Sequence, residues 1–113
     1  MRKLNWVVLL AMLTHGASCK QQTSSRVPCN GTSPTWNSKV LDIVATNCWG
    51  SSCHGTGANN GDYTTYSGIK PDLLSGSFAR QVLDDRFMPQ GAILPDTILA
   101  VLHCWVEKGF PEN

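Results

Sequence analysis

Apolar residues recur at helical spacing in several stretches of this chain, and no stretch shows the sustained apolar–polar alternation of a half-buried strand. Val40, Leu41, Ile43 and Val44 define the first helix, which Asn37 or Ser38 can cap and which delivers Cys48 at its C-terminal end. From Trp49 to Tyr63 the chain is rich in Gly, Ser, Asn and Thr and predicts a loop. Thr64 to Lys70 predicts a short helix ending before Pro71, because the residue ahead of a proline is pushed out of helical geometry. Ser77 to Asp85, with Phe78, Val82 and Leu83 apolar, predicts a third helix, and Phe87-Met88-Pro89-Gln90-Gly91 then breaks the winding. The last pattern is the clearest. Asp96 suits the start of a helix dipole, Ile98, Leu99, Val101, Leu102, Trp105 and Val106 form an apolar face, and Gly109 is a natural stop. The expectation is an all-α domain of three to four short helices, the first and last packed together, with Trp105 between them.

The N-terminal segment reads as an address. Met1-Arg2-Lys3 is basic, Trp6 to Leu13 is apolar, and Gly16-Ala17-Ser18 are small, as in a secretory signal peptide over residues 1–18. The apolar run is too short for a stable membrane span. Gly16-Ala17-Ser18-Cys19 resembles the lipobox of bacterial lipoproteins, which implies acylation of Cys19 and anchoring at a membrane. Simple cleavage after Ala17 or Ser18 is the alternative.

Removing residues 1–18 takes the basic count from nine to seven against eight acids, a formal charge near −1. That balance gives no reason to expect nucleic acid or anionic lipid as a partner. Residues 19–35 are polar and punctuated by Pro28, Gly31 and Pro34, and predict a tether, with order beginning near Cys29. Residues 36–113 form the expected domain. At roughly 80 residues its apolar core is marginal, so a staple or cofactor is expected.

Candidate chemistry concentrates in Cys48-Trp49-Gly50-Ser51-Ser52-Cys53-His54. A cysteine followed directly by histidine is the tail of the C-x-x-C-H signature, in which both thiols bind haem covalently and the histidine ligates iron. Here four residues separate the cysteines. On a helix, cysteines three apart lie about 60° apart, whereas five apart they lie about 140° apart. Cys48 and Cys53 therefore reach one haem only if Trp49 to Ser52 leave the helix, which Gly50 and two serines permit.

With five cysteines, one at the lipobox and two at this heptad, Cys29 and Cys104 remain. In an exported protein a disulfide between them is the simple expectation. Without haem, the four cysteines after Cys19 allow three pairings. Cys104 alone also fits a buried thiol.

Three features in order carry a family resemblance: a helix leading into Cys48, Cys53 and His54; an isolated Met88-Pro89 in a loop; and a C-terminal ending Trp105-Val106-Glu107-Lys108-Gly109-Phe110-Pro111. Cys29 and the string Gly61-Asp62-Tyr63-Thr64-Thr65-Tyr66 add to it. The chain resembles small class I-like c-type cytochrome domains of exported bacterial lipoproteins across residues 29 to 113. The resemblance implies a cytochrome c-like bundle around one covalent haem c, held by Cys48 and Cys53, with His54 and Met88 as iron ligands. A six-coordinate iron implies outer-sphere electron transfer to redox partner proteins in the periplasm or at the membrane, with no catalytic residue and no enzymatic step.

Competing readings attach to several residues. His103 is a rival sixth ligand, and His15 falls in the signal segment. Arg80 and Arg86 can pair with haem propionates or stand as solvated helix residues. Trp49 and Phe87 can cover the haem or serve as core. The alternative function is a disulfide-stabilised exported binding or structural module without haem. A zinc site is disfavoured because adjacent Cys and His rarely turn toward one ion.

Overall fold

Thr35 starts the first helix. Its hydroxyl accepts from the Ser38 amide at 3.1 Å, and the Ser38 hydroxyl accepts from the Thr35 amide at 3.0 Å, a reciprocal pair that satisfies two donors at once. The cap therefore lies two residues before Asn37, and Ser38 serves as its partner. In the computed structural model, which describes Gly16 and residues 26–113, winding begins as a π-helical segment, Trp36–Val40, and continues as α1, Leu41–Cys48. The wider first turn places Trp36 and Val40 both inside the core.

The second helix, α2, runs Tyr66–Leu74 from a Thr65 cap and passes through Pro71. This corrects the expected stop at Lys70. Ile69 and Leu73 lie on either side of the proline in sequence, and both are buried. Packing of that stripe outweighs the local cost of proline. Ser67, whose carbonyl loses its helical donor, is exposed. Gly68 is required here, since a Cβ would stand only 1.8 Å from the Asp62 carbonyl oxygen. The third helical run is the π-helical segment Ala79–Asp84, which buries Val82 and Leu83. The last helix, α3, spans Asp96–Glu107 as its pattern predicts.

Gly109, at φ +82°, ends α3 in a Schellman arrangement. The Phe110 amide donates to the Trp105 carbonyl at 2.7 Å, and the Gly109 amide donates to Val106 at 3.1 Å. The tail then clips three elements together. Pro111 O accepts from the Trp36 amide and from Trp105 Nε1, both at 2.9 Å; Glu112 O accepts from the Asn37 amide at 3.0 Å; Phe110 O accepts from the Tyr66 hydroxyl at 2.9 Å. Orphan donors at the start of the first helix are thus satisfied by the C-terminal tail. Trp105 is fully buried between Trp36 and Phe78, each ring centroid 6.1 Å away. At about 25 cal/mol per Å², an indole burying about 200 Å² contributes about 5 kcal/mol.

The described residues are all-α, with no strand among them. Cys29 and Cys104 form a disulfide, which joins the segment before the first helix to α3. Arg26 adds a two-pronged ion pair to Asp84, at 2.5 and 2.9 Å, and Lys108 Nζ donates to Thr32 O at 2.7 Å. Residues 26–33 are therefore held against the domain. The expected signal segment and Cys19 lie outside the described residues, apart from Gly16. No helix among the described residues is long and apolar enough to cross a membrane.

Candidate functional site

Helical winding stops at Cys48. Trp49 turns extended, at φ −79° and ψ 141°, and the four residues after Cys48 leave the helix. Two backbone hydrogen bonds shape the excursion: Cys53 N donates to Gly50 O at 3.1 Å, and His54 N donates to Cys48 O at 2.9 Å. The second bond closes the loop, so His54 follows the end of α1 as though the intervening residues were looped out.

The loop then folds back. Tyr63 N donates to His54 O at 2.9 Å, and Trp49 Nε1 donates to Tyr63 O at 2.9 Å. Asp62 braces the bend from its exposed side. Its carboxylate accepts from the Thr64 hydroxyl and the Gly57 and Thr64 amides, which hold it below the usual carboxylate range.

His54 is the centre of this arrangement. Its Nδ1 lies 2.9 Å from Gly61 O. A carbonyl only accepts, so Nδ1 carries a proton, and in the neutral ring Nε2 then presents its lone pair. A metal-binding histidine requires an acceptor of this kind for its second nitrogen. Gly61 can supply it because its φ is +114°, a region that disfavours side chains. A Cβ there would also stand 3.0 Å from Tyr63 Cε1 and 3.2 Å from Asp72 Oδ2. On one face of the imidazole the Tyr63 ring stacks, centroids 4.0 Å apart and planes 7° from parallel. The buried Tyr63 hydroxyl donates to the Asp72 carboxylate on α2. Burial, then the Asp72 contact, pushes the Tyr63 hydroxyl pKa far up.

A cavity of about 330 Å³ lies against these groups. Cys48, Cys53, His54 and Met88 all line it, with Tyr63, Phe78 and Val82 supplying aromatic and apolar wall. The volume falls within the range of small-molecule sites. Met88 comes from the loop after Ala79–Asp84 and is held by its amide, which donates to Gln81 O at 3.1 Å. It is the only methionine among the described residues. A larger hollow of about 610 Å³ is lined solely by residues between Gly50 and Asn60 and includes only Cys53 of the four.

The two thiols differ. Cys53 is exposed, whereas Cys48 is half-buried and pushed up to about 11 by burial, with a lesser effect from nearby Cys53. Both are free, so no second disulfide forms between them.

Other residues weighed from the sequence lie elsewhere. His103 Nδ1 lies 2.8 Å from Val27 O, and His103 does not line the cavity. Arg80 and Arg86 are exposed and absent from its walls. Trp49 and Phe87 are exposed rather than core. Sequence reasoning missed Tyr63 and Asp72 as site residues. The available signal was a lone carboxylate at position 72, three residues after Ile69 and beside Leu73 on the buried stripe of α2. Among the described residues, no three His, Cys, Asp or Glu side chains converge as metal ligands.

No known protein family, curated protein or solved structure matches this chain.

Proposed function

We propose that this domain is a monohaem c-type cytochrome that carries electrons by outer-sphere transfer. The observation that carries the proposal is the shared cavity: two free thiols, an imidazole with its Nε2 lone pair available and a thioether all line one partly apolar hollow. That donor set suits haem c: Cys48 and Cys53 would hold it covalently, and His54 and Met88 would ligate its iron. A bound haem supplies a one-electron ferric/ferrous couple, and sulfur ligation favours the ferrous form and raises its potential.

The residues divide the work. Gly61 O keeps the proton on His54 Nδ1 and so reserves Nε2 for iron. The Gln81 carbonyl fixes the Met88 backbone where its thioether can reach the cavity. Phe78 and Val82 exclude water from the wall, which favours the less charged, reduced state. Were His54 and Met88 both to ligate the iron, protein side chains would take the places a substrate needs, so the proposed role is transfer rather than catalysis. We place the protein at a bacterial membrane surface, exported and anchored through Cys19, where it serves redox partner proteins of the periplasm or membrane.

The test is direct. Expressed with a periplasmic haem-attachment system, the full chain should keep haem on the polypeptide through denaturing electrophoresis. Colourless protein beside a control cytochrome that matures normally would refute the proposal in favour of a haem-free, disulfide-stabilised module. In the holoprotein, Met88→Ala should abolish the weak thioether-to-iron band at the red end of the oxidised spectrum. Persistence of that band would remove Met88 from the ligand set.

A further inference from the structure

We infer that Tyr63 and Asp72 are positioning residues that fix the plane of the His54 imidazole. The inference deepens the proposed function and rests on His54 being an axial ligand. The Gly61 carbonyl secures only one edge of the ring. A single hydrogen bond leaves an imidazole free to rock about that edge. The parallel Tyr63 ring at 4.0 Å closes off that motion on one face.

Tyr63 can do this because it is itself held at both ends. Its backbone donates to His54 O and accepts from Trp49 Nε1, while its hydroxyl is bound by Asp72. Asp72 belongs to α2, so the ring plane is referenced to a helix rather than to the loop alone. The space that a side chain at position 61 would fill is the space in which Tyr63, Asp72 and His54 meet, at 3.0, 3.2 and 3.6 Å from a Cβ built there. A ligand fixed before iron binds loses little freedom on binding and shifts little between oxidation states.

The experiment uses the full chain with covalently bound haem and reads the proton NMR spectrum of the oxidised form. The order of the shifted haem methyl resonances depends on the orientation of the axial imidazole plane, which a merely stabilising contact would not alter. Tyr63→Leu should change that order. Asp72→Ala and Tyr63→Phe, which release the hydroxyl tether but keep an aromatic ring, should change it too. Asp72→Asn retains an oxygen that accepts from Tyr63 and should restore the wild-type order. Where Tyr63→Leu does not fold, the Tyr63→Phe and Asp72→Ala pair decides. An unchanged order in that pair overturns the inference while leaving the haem proposal intact. Wild-type protein without covalent haem overturns the haem proposal and this inference with it.

Discussion

Gly61→Ala is the sharpest perturbation of this site, because one methyl group meets three constraints. The backbone there has φ +114°, and a Cβ would stand 3.0 Å from Tyr63 Cε1 and 3.2 Å from Asp72 Oδ2. Holding a side chain in that region costs about 1–3 kcal/mol. Displacing the Tyr63 ring from its rotamer adds about 0.5–1.5 kcal/mol, and loosening the carbonyl bond to His54 about 0.5–1.5 kcal/mol. The expected loss is about 2–6 kcal/mol, or a urea midpoint lower by about 2 M or more at a slope of about 1 kcal/mol/M. Gly57→Ala is the control. Its φ is +75° but nothing lies within 4 Å of the added carbon, so only the backbone cost of about 1 kcal/mol applies. Equilibrium urea unfolding of both variants separates crowding from backbone strain. If the two differ by less than about 0.5 kcal/mol, within the scatter of independent sites, the packed junction of Gly61, Tyr63 and Asp72 does not exist as described. If the proposed haem is bound, Gly61→Ala should also raise its reduction potential, since a weaker acceptor makes the His54 imidazole a poorer donor.

Two further outcomes follow from the cysteines. The double variant Cys29→Ser, Cys104→Ser removes a bridge across a sequence separation of 75 residues, and chain entropy sets the loss at about 4.5 kcal/mol; a denaturant midpoint within about 1 M of wild type, at the same slope, would contradict that closure. In reduced, haem-free chain, alkylation at pH 8 should label exposed Cys53 first, and Cys48 labelling should rise only as pH approaches its raised value of about 11; equal rates, read by peptide mass spectrometry, would show that Cys48 is not shielded.

The helices were legible because burial repeats along them: Ile98 to Val106 and Val40 to Val44 carry the 3.6-residue period that packing demands. The Gly-rich stretch after Trp49 was legible as a loop for the opposite reason. Pro71 misled because local preference at one residue was weighed without the buried Ile69 and Leu73 that flank it. The Cys29–Cys104 bridge followed from setting the other cysteines aside, a step that needed a chemical hypothesis about Cys48 and Cys53. The histidine's acceptor was out of reach. Gly61 O meets Nδ1 only through the turn that Asp62, Thr64 and Tyr63 build, and a carbonyl has no residue-type signature. Asp72 was hidden likewise, since its partner is nine residues away and belongs to the loop.

The hydrogen bond from His54 to the Cys48 carbonyl separates two quantities that motif searches treat as one. The number of residues between two cysteines measures contour length, whereas attachment of a planar ligand depends on the span between thiols. The closing bond ties residue 54 to residue 48 whatever path lies between, so residues 49–52 become a bight in the line, and its length need not be the one a fixed motif demands. A pattern written with a fixed gap passes over such a chain, and one written for a helix end, a closing bond and an imidazole with a carbonyl behind it would find it.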